Sequence, residues 1–199
     1  MLDQALRFLL DTVFGIVTYA FLLRFLMQWL RAPFRNPLGQ AVVALTDWAA
    51  KPMRRVVPGF RGLDISTLVL AWLAQFLWLA ALALVVGPGL ESGGIVAMFA
   101  LLACVELIKA MLWLLIIVVF AQAILSWTVP DGPFAGVLNA LTFRFLSPIR
   151  RLIPPLGGTL DLSPLIVIVL AQLALMLPVR WLEGAVADFV RLANALAEH

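Results

Sequence analysis

Four stretches of this chain stay apolar for as long as a helix needs to cross a bilayer, and that constrains the fold more than any other feature. They run from about Phe8 to Leu30, Ile65 to Val86, Gly93 to Val129 and Pro164 to Leu182. A hydrocarbon core about 30 Å thick takes about 20 residues of helix. The composition agrees. Of 199 residues 64% are hydrophobic and 13% charged, with a mean hydropathy of +1.07, far outside the range of soluble domains. The sequence therefore predicts an all-α, multi-pass membrane protein with four transmembrane helices.

The net charge of +3 and the pI near 9.8 do not point to nucleic acid, because the cations are concentrated in two short loops beside apolar spans. That placement is an orientation signal and a contact for anionic headgroups. Cys104 is the only cysteine, so no intrachain disulfide, CxxC redox centre or c-type haem attachment is expected. The start, MLDQALRFLL, has no basic n-region, and the first apolar run is expected to remain as an anchor. With no Arg- and Ser-rich transit segment either, the expected address is a bacterial plasma membrane.

The third apolar region is too long for one crossing, about 55 Å as a helix. Glu106 and Lys109 stand in its middle, three residues apart and able to neutralise each other on one helix face. If they mark an interface, 110–128 cross and 94–105 form a short interfacial or re-entrant helix. If they cap a turn, the region crosses twice. Loop charge decides the number of crossings. Arg31, Arg35, Lys51, Arg54, Arg55 and Arg61 lie between the first two segments, and Arg144, Arg150 and Arg151 before the last, whereas GPGLES carries only Glu91. Both basic loops then face the cytoplasm, which requires a single pass and places both termini on the periplasmic side. Whether 93–109 is interfacial, re-entrant or part of one long helix stays open.

The chain also repeats itself. KPMRRVVPGFRGLDIST (51–67) aligns with SPIRRLIPPLGGTLDLSP (147–164) at an offset of 96, which becomes 97 after Thr159. Leu45 and Thr46 align with Leu141 and Thr142, Gln75 aligns with Gln172, and Trp29 falls near Trp127. Two tandem helix–loop helix–helix units follow, over 1–90 and 91–199. Their crossings fall at about 8–30 and 65–86, then 107–128 and 164–182. A parallel duplication puts both loops on one side, as the charges require independently.

Each loop carries an amphipathic helix, at about 37–57 and 134–153. Leu38, Val42, Leu45, Ala49, Met53 and Val56 share one side, with Asp47, Lys51, Arg54 and Arg55 opposite. The second repeats the stripe, with Arg144, Ser147 and Arg151 away from it. Such helices lie in the interface, each nearby cation contributing ~1 kcal/mol against anionic lipid. Lys51, Arg54, Arg55, Arg144, Arg150 and Arg151 are the expected contacts for lipid headgroups or an acidic partner. Pro52 and Pro148 kink each helix or open its last turn. Pro58 and Pro154 end it, and Gly62, Gly157 and Gly158 let the chain turn back. Asp64 with Ser66, and Asp161 with Ser163 and Pro164, cap the next helix.

Chemistry finds little to work with. The only histidine is the terminal His199, and no set of His, Cys or paired carboxylates offers a nucleophile, base or metal site, so neither catalysis nor a metal or cofactor is expected. Intramembrane polar groups are functional suspects by default. Asp11 and Arg24 lie close enough to helix ends to snorkel to water. Gln75 and Gln172, at matching depths, are expected to hydrogen-bond across helices, or in a homo-oligomer to border a polar path. Glu106 and Lys109 read as a neutralising interfacial pair, and Trp29 and Trp127 as belt anchors.

Two copies of P-x-R-R-x-x-P-x-x-x-G-x-D-x-S between membrane helices, preceded by FRNPLGQAVVALTD and VLNALTFRFLSPIRR, resemble the YggT (YlmG-like) family over essentially the whole chain. Arg61 replaces the first Gly of the pair, Thr67 replaces the Pro after Ser66, and Thr159 lengthens the second turn. The resemblance implies an inner-membrane protein without an established reaction, linked in some bacteria to osmotic tolerance and potassium balance and in others to envelope and division genes. Plastid relatives resemble assembly factors. The expectation is a cofactor-free scaffold or assembly factor that contacts anionic lipid and other membrane proteins. The alternative is a component of ion or osmotic homeostasis.

Overall fold

Proline and glycine decide where the helices of this chain stop. The computed structural model describes residues 2–59, 63–86, 93–129, 132–153 and 161–197. Helix α1 (Leu2–Trp29) contains only one glycine, Gly15, and no proline, and ends ahead of Pro33 and Pro37. Its last carbonyls are closed by the Arg31 N–H donating to Gln28 (3.2 Å) and the Ala32 N–H donating to Met27 (2.8 Å). That is the pattern of a Schellman cap, whose left-handed position is usually Gly. Here it is Arg31, with φ of 54°, a conformation that costs an L-residue about 1–2 kcal/mol.

Helix α2 (Pro37–Val56) starts on Asn36, whose side-chain oxygen accepts from the Gly39 N–H at 2.9 Å, with Pro37 in the first turn. Gly39 is required by space, since a Cβ there would lie 2.5 Å from the Phe34 carbonyl oxygen. Helix α3 (Ile65–Val86) follows, then α4 (Gly93–Thr128), α5 (Ala135–Leu152) and α6 (Ser163–Ala174). Beyond α6 a π-helical turn, Leu175–Val179, leads without a break into α7 (Arg180–Ala197). Pro178 sits inside that turn. Its missing N–H and its ring are accommodated by widening one turn.

Four helical stretches are long and apolar enough to cross a membrane: Leu2–Trp29, Ile65–Val85, Val96–Thr128 and Ser163–Phe189. The chain is thus an all-α, multi-pass membrane protein. One alternative left open by the sequence is decided, and one helix runs on past the expected crossing. The region around Glu106 and Lys109 neither turns back nor separates a short helix from a crossing. With no Gly or Pro between Ile95 and Thr128, nothing interrupts the backbone bonds, and α4 is one helix of 36 residues. The last crossing was expected at about 164–182, and the helical backbone continues beyond it to Ala197.

Helix α3 returns antiparallel along α1, so that Gln75 meets Thr18 and Trp78 meets Asp11. Helix α4 is the hub, touching α1, α3, α5, α6 and α7. The main core joins Phe21, Leu22, Phe25 and Met27 of α1 to Val42 of α2, Ala71 of α3, Leu114 and Val118 of α4 and Leu141 of α5. A smaller cluster of Val119, Leu146 and Val167 ties α4, α5 and α6 together. Much of the remaining apolar surface, including Phe8, Ile16, Leu77, Ile117, Phe120 and Leu170, points outward, as lipid contact demands and water would penalise.

The short helices α2 and α5 are built alike. Each buries a threonine completely, Thr46 and Thr142, whose hydroxyls donate to the carbonyls four residues back (2.5 Å to Val42, 2.8 Å to Leu138). Pro52 and Pro148 lie inside the helices rather than ending them, and the closing bonds match: Val57 N–H to Met53 and Ile153 N–H to Ile149, both 2.8 Å. The apolar stripe does not all face the bundle. Val42 and Ala49 do, while Leu45, Val56, Phe134 and Leu152 remain exposed.

Candidate functional site

The repeated motif forms an elbow in which the basic helix is clamped to the start of the next crossing. In the first repeat the Arg54 guanidinium donates through Nε (3.0 Å) and Nη2 to one oxygen of Asp64, and the Ser66 hydroxyl donates to the other. Thr67 donates its hydroxyl to the Asp64 carbonyl at 2.8 Å. In the second, Arg150 Nε donates to Asp161 at 2.8 Å, and the Ser163 N–H donates to the other carboxylate oxygen at 2.9 Å. Asp161 accepts a backbone N–H at the start of the following helix, that of Ser163, whereas the Asp64 carboxylate takes the Ser66 hydroxyl instead and leaves the Thr67 N–H to its own backbone carbonyl. Both aspartates also take a cation that sequence reading assigned to the open basic face. Asp64 is buried and Asp161 half-exposed.

The consequence is a division of labour within each Arg pair. Arg54 and Arg150 are structural, while Arg55 and Arg151 stay exposed at the same end of the molecule. Lys51 is paired with Asp47 at 2.7 Å, and the Arg144 guanidinium lies 5.4 Å above the Trp29 ring. Pro58 follows α2, and Pro164 is buried in the first turn of α6. Gly62, Pro154, Gly157 and Gly158 lie outside the described residues.

Protonation of the clamps has a definite sign. Burial pushes the Asp64 carboxyl up, but hydrogen bonds from Arg54 and Ser66 outweigh it and leave the group below the ordinary carboxylate value. Asp161 is likewise raised by burial and lowered further by Ser163 and Arg150. Hydrogen bonds from Lys51 and Arg24 lower Asp47. A depressed native pKa contributes stability that is complete above the unfolded value, about 3.9, and is lost as pH falls through the native one. Melting temperature of the detergent-solubilised protein is therefore expected to change little between about pH 7 and 5 on account of these groups and to fall steeply below about pH 4. Asp64→Asn together with Asp161→Asn should flatten the acid limb.

Toward the opposite end, α1, α3 and α4 enclose a polar cavity of about 280 Å³ lined by Asp11, Tyr19, Gln75, Trp78, Glu106 and Lys109, among others. Trp78 donates its indole N–H to Asp11 at 2.7 Å, and Gln75 donates to the Thr18 hydroxyl at 3.4 Å. Lys109 bridges Glu106 and Glu183 of α7, both at 2.8 Å. So Asp11 is tied to α3, and the Glu106–Lys109 pair is extended by a carboxylate from the last helix. Gln172 lies exposed on α6 and shares no cavity with Gln75. Among the described residues no group of three or more His, Cys, Asp or Glu side chains is arranged to hold a metal ion.

Arg24 was expected to reach water, and it does not. It is 4% exposed, and its Nη1 donates to Thr46 (2.6 Å) and Asp47 (2.8 Å), fastening α2 beneath α1. Snorkelling fails because α2 packs where the side chain would emerge. The fully buried Thr46 beneath it was the available signal, but only the position of α2 gives that signal meaning.

Two segments, residues 4–85 and 101–182, match the family model described as CCB3/YggT, and each contains one clamp. The chain belongs to the CCB3/YggT family. Similar proteins include uncharacterised proteins of Pseudomonas aeruginosa, 34% identical over 178 residues (88% of this chain and 89% of the relative), and of Vibrio alginolyticus, 37% over 173 (86% and 91%). YggT of Escherichia coli is 38% identical over 169 residues (84% and 85%). No solved structure matches the chain. The two YggT repeats share the elbow but diverge above it. Gln122 stands five residues before Trp127 as Arg24 stands five before Trp29. Its buried Oε1 lacks a hydrogen-bond partner among the described residues. Among the described residues only the first YggT repeat has a buried cation.

Proposed function

We propose that this YggT-family chain is a non-enzymatic scaffold or assembly factor of the bacterial plasma membrane, oriented with its amphipathic elbow helices cytoplasmic and its termini periplasmic. The reading is carried by the duplicated clamp. Arg54 with Asp64 and Arg150 with Asp161 fix both elbow helices against the next crossing, while Arg55 and Arg151 are left exposed beside them. Orientation by charge needs cations but no fixed geometry. Immobilising the neighbour of each free arginine supports a second use, presentation of two guanidiniums in set positions to an acidic partner protein. The test reverses only the free pair. In native membranes, Arg55→Glu with Arg151→Glu should abolish discrete crosslinked products while leaving expression and insertion unchanged. An unchanged crosslinking pattern would refute the scaffold reading.

The polar cavity favours a second reading, passage of potassium or another ion as part of osmotic homeostasis. Asp11, Glu106, Lys109 and Gln75 collect there from three helices, and ionisable groups within membrane helices are functional suspects by default. Purified protein in vesicles should then raise potassium flux, and Gln75→Ala with Glu106→Gln should reduce it. Flux equal to that of empty vesicles would remove this reading.

A further inference from the structure

We propose a specific site for one anionic phospholipid at the junction of the two repeats, between the end of α1 and helix α5. A cleft of about 530 Å³ there is lined by Trp29, Arg31, Arg144, Ser147 and Arg151, among others, with no carboxylate in its lining. None of the three guanidiniums takes part in an ion pair among the described residues. Three like charges on one concavity repel one another unless an anion sits between them, and the planar donors of arginine suit a phosphodiester.

The cleft continues into an apolar furrow. On the other side of Trp29, α1, α4 and α5 form a crevice of about 160 Å³ lined by Leu26, Leu112, Leu115, Leu141 and Phe145, together with Met111 and Val118. Trp29 borders both spaces. On α5 the cationic strip, Ala140, Arg144, Ser147 and Arg151, lies directly beside the strip of Leu141 and Phe145 that enters the furrow. A headgroup and the upper part of one acyl chain need this arrangement, a charged pocket opening onto hydrocarbon across an aromatic edge. Free phosphate would use the first half only.

Backbone geometry gives independent support. Arg31 occupies the left-handed position of the α1 cap, where glycine would close the helix without strain. Strained residues are retained where the surroundings use them, and here the side chain enters the cleft. The same feature separates binding from folding in the test, because Arg31→Gly removes the cation while relieving the backbone. The site has only Arg151 in common with the docking pair described under the proposed function, so the variants used are Arg31→Gly and Arg144→Gln, with Arg55 and Arg151 intact.

Full-length protein in detergent is incubated with phosphatidylglycerol or phosphatidylethanolamine and examined by native mass spectrometry. One phosphatidylglycerol should be retained per chain at least ~10-fold better than phosphatidylethanolamine, whose ammonium the arginines repel. Arg31→Gly should lose most of this retention with an equal or higher melting temperature. Leu112→Trp, which fills the furrow, should lower retention without altering the cations. Glycerol phosphate, which carries no acyl chain, should compete poorly. Equal retention of the two lipids, full retention by both Arg variants, or displacement by glycerol phosphate as effective as by lipid would each overturn the proposal. Arg55 lies outside the cleft, so Arg55→Glu alone should leave phosphatidylglycerol retention unchanged whatever it does to crosslinking. Arg31→Gly should lose the lipid whether or not crosslinked products persist, so failure of one proposal is distinguishable from failure of the other.

Discussion

Arg24→Ala is expected to lower the free energy of unfolding by ~3 kcal/mol. The side chain is almost fully buried and spans two helices, donating to Thr46 and Asp47. Removing it empties a large buried volume and breaks the bridge from α1 to α2. The loss is held to the lower end of the range for buried pairs because Asp47 keeps Lys51 and Thr46 keeps the Val42 carbonyl. Arg24→Lys keeps the charge and enough donors, but its ammonium does not extend as far as the guanidinium Nη1 that makes both bonds, and should recover about half of the loss. Gln122→Ala is the control. It stands at the corresponding place in the second repeat, where an oxygen is already unpartnered, and should cost well under ~1 kcal/mol from hydrogen bonding. Denaturant titration of the detergent-solubilised protein, followed by helical circular dichroism, reads all three. A larger loss at Gln122 than at Arg24 would contradict the packing described.

Asp64→Ala is expected to cost ~2–3 kcal/mol and Asp161→Ala about 1 kcal/mol, although the two aspartates occupy equivalent places in the repeat. The difference follows from burial. The Asp64 side chain is 4% exposed and carries bonds from both Arg54 and Ser66, whereas that of Asp161 is 26% exposed and shares its charge with water. Arg54 is itself well exposed, so solvent screening keeps the first figure below that of a fully buried pair. A double-mutant cycle of Arg54→Ala and Asp64→Ala should show a coupling of ~1–2 kcal/mol, and the Arg55–Asp64 cycle a coupling near zero. Melting temperature serves for both cycles. Similar couplings for Arg54 and Arg55 would mean that neither arginine is singled out by the elbow.

The crossings were legible because bilayer thickness converts directly into a count of apolar residues, and the duplication was legible because its Pro, Arg and Asp markers recur at a nearly constant offset. The pairing of Arg54 with Asp64 was not. Ten residues separate them, and whether they meet depends on how the intervening turn bends. The duplicated Arg-to-Asp spacing was the one available clue. Arg24 was misread for a related reason. A long cation near a helix end reaches water unless another element blocks it, and the sequence does not place α2. Glu106 with Lys109 suggested a boundary because charge in the middle of a long apolar run usually marks water. In the fold they sit on an uninterrupted helix, compensated further by Glu183 from α7. Gln75 and Gln172 show the limit of repeat logic, since equal register left one facing Thr18 and the other facing outward.

The unbroken span of α4 has a mechanical consequence. Its 33 residues from Val96 to Thr128, with Glu106 and Lys109 among them, measure about 50 Å, well beyond a hydrocarbon layer of about 30 Å even at the steepest tilts that membrane helices adopt. Lipid around it must therefore thicken, or the rod must lean and lift one end clear. Because α1, α3, α6 and α7 all pack against this rod, any change in its inclination would displace both halves of the molecule at once.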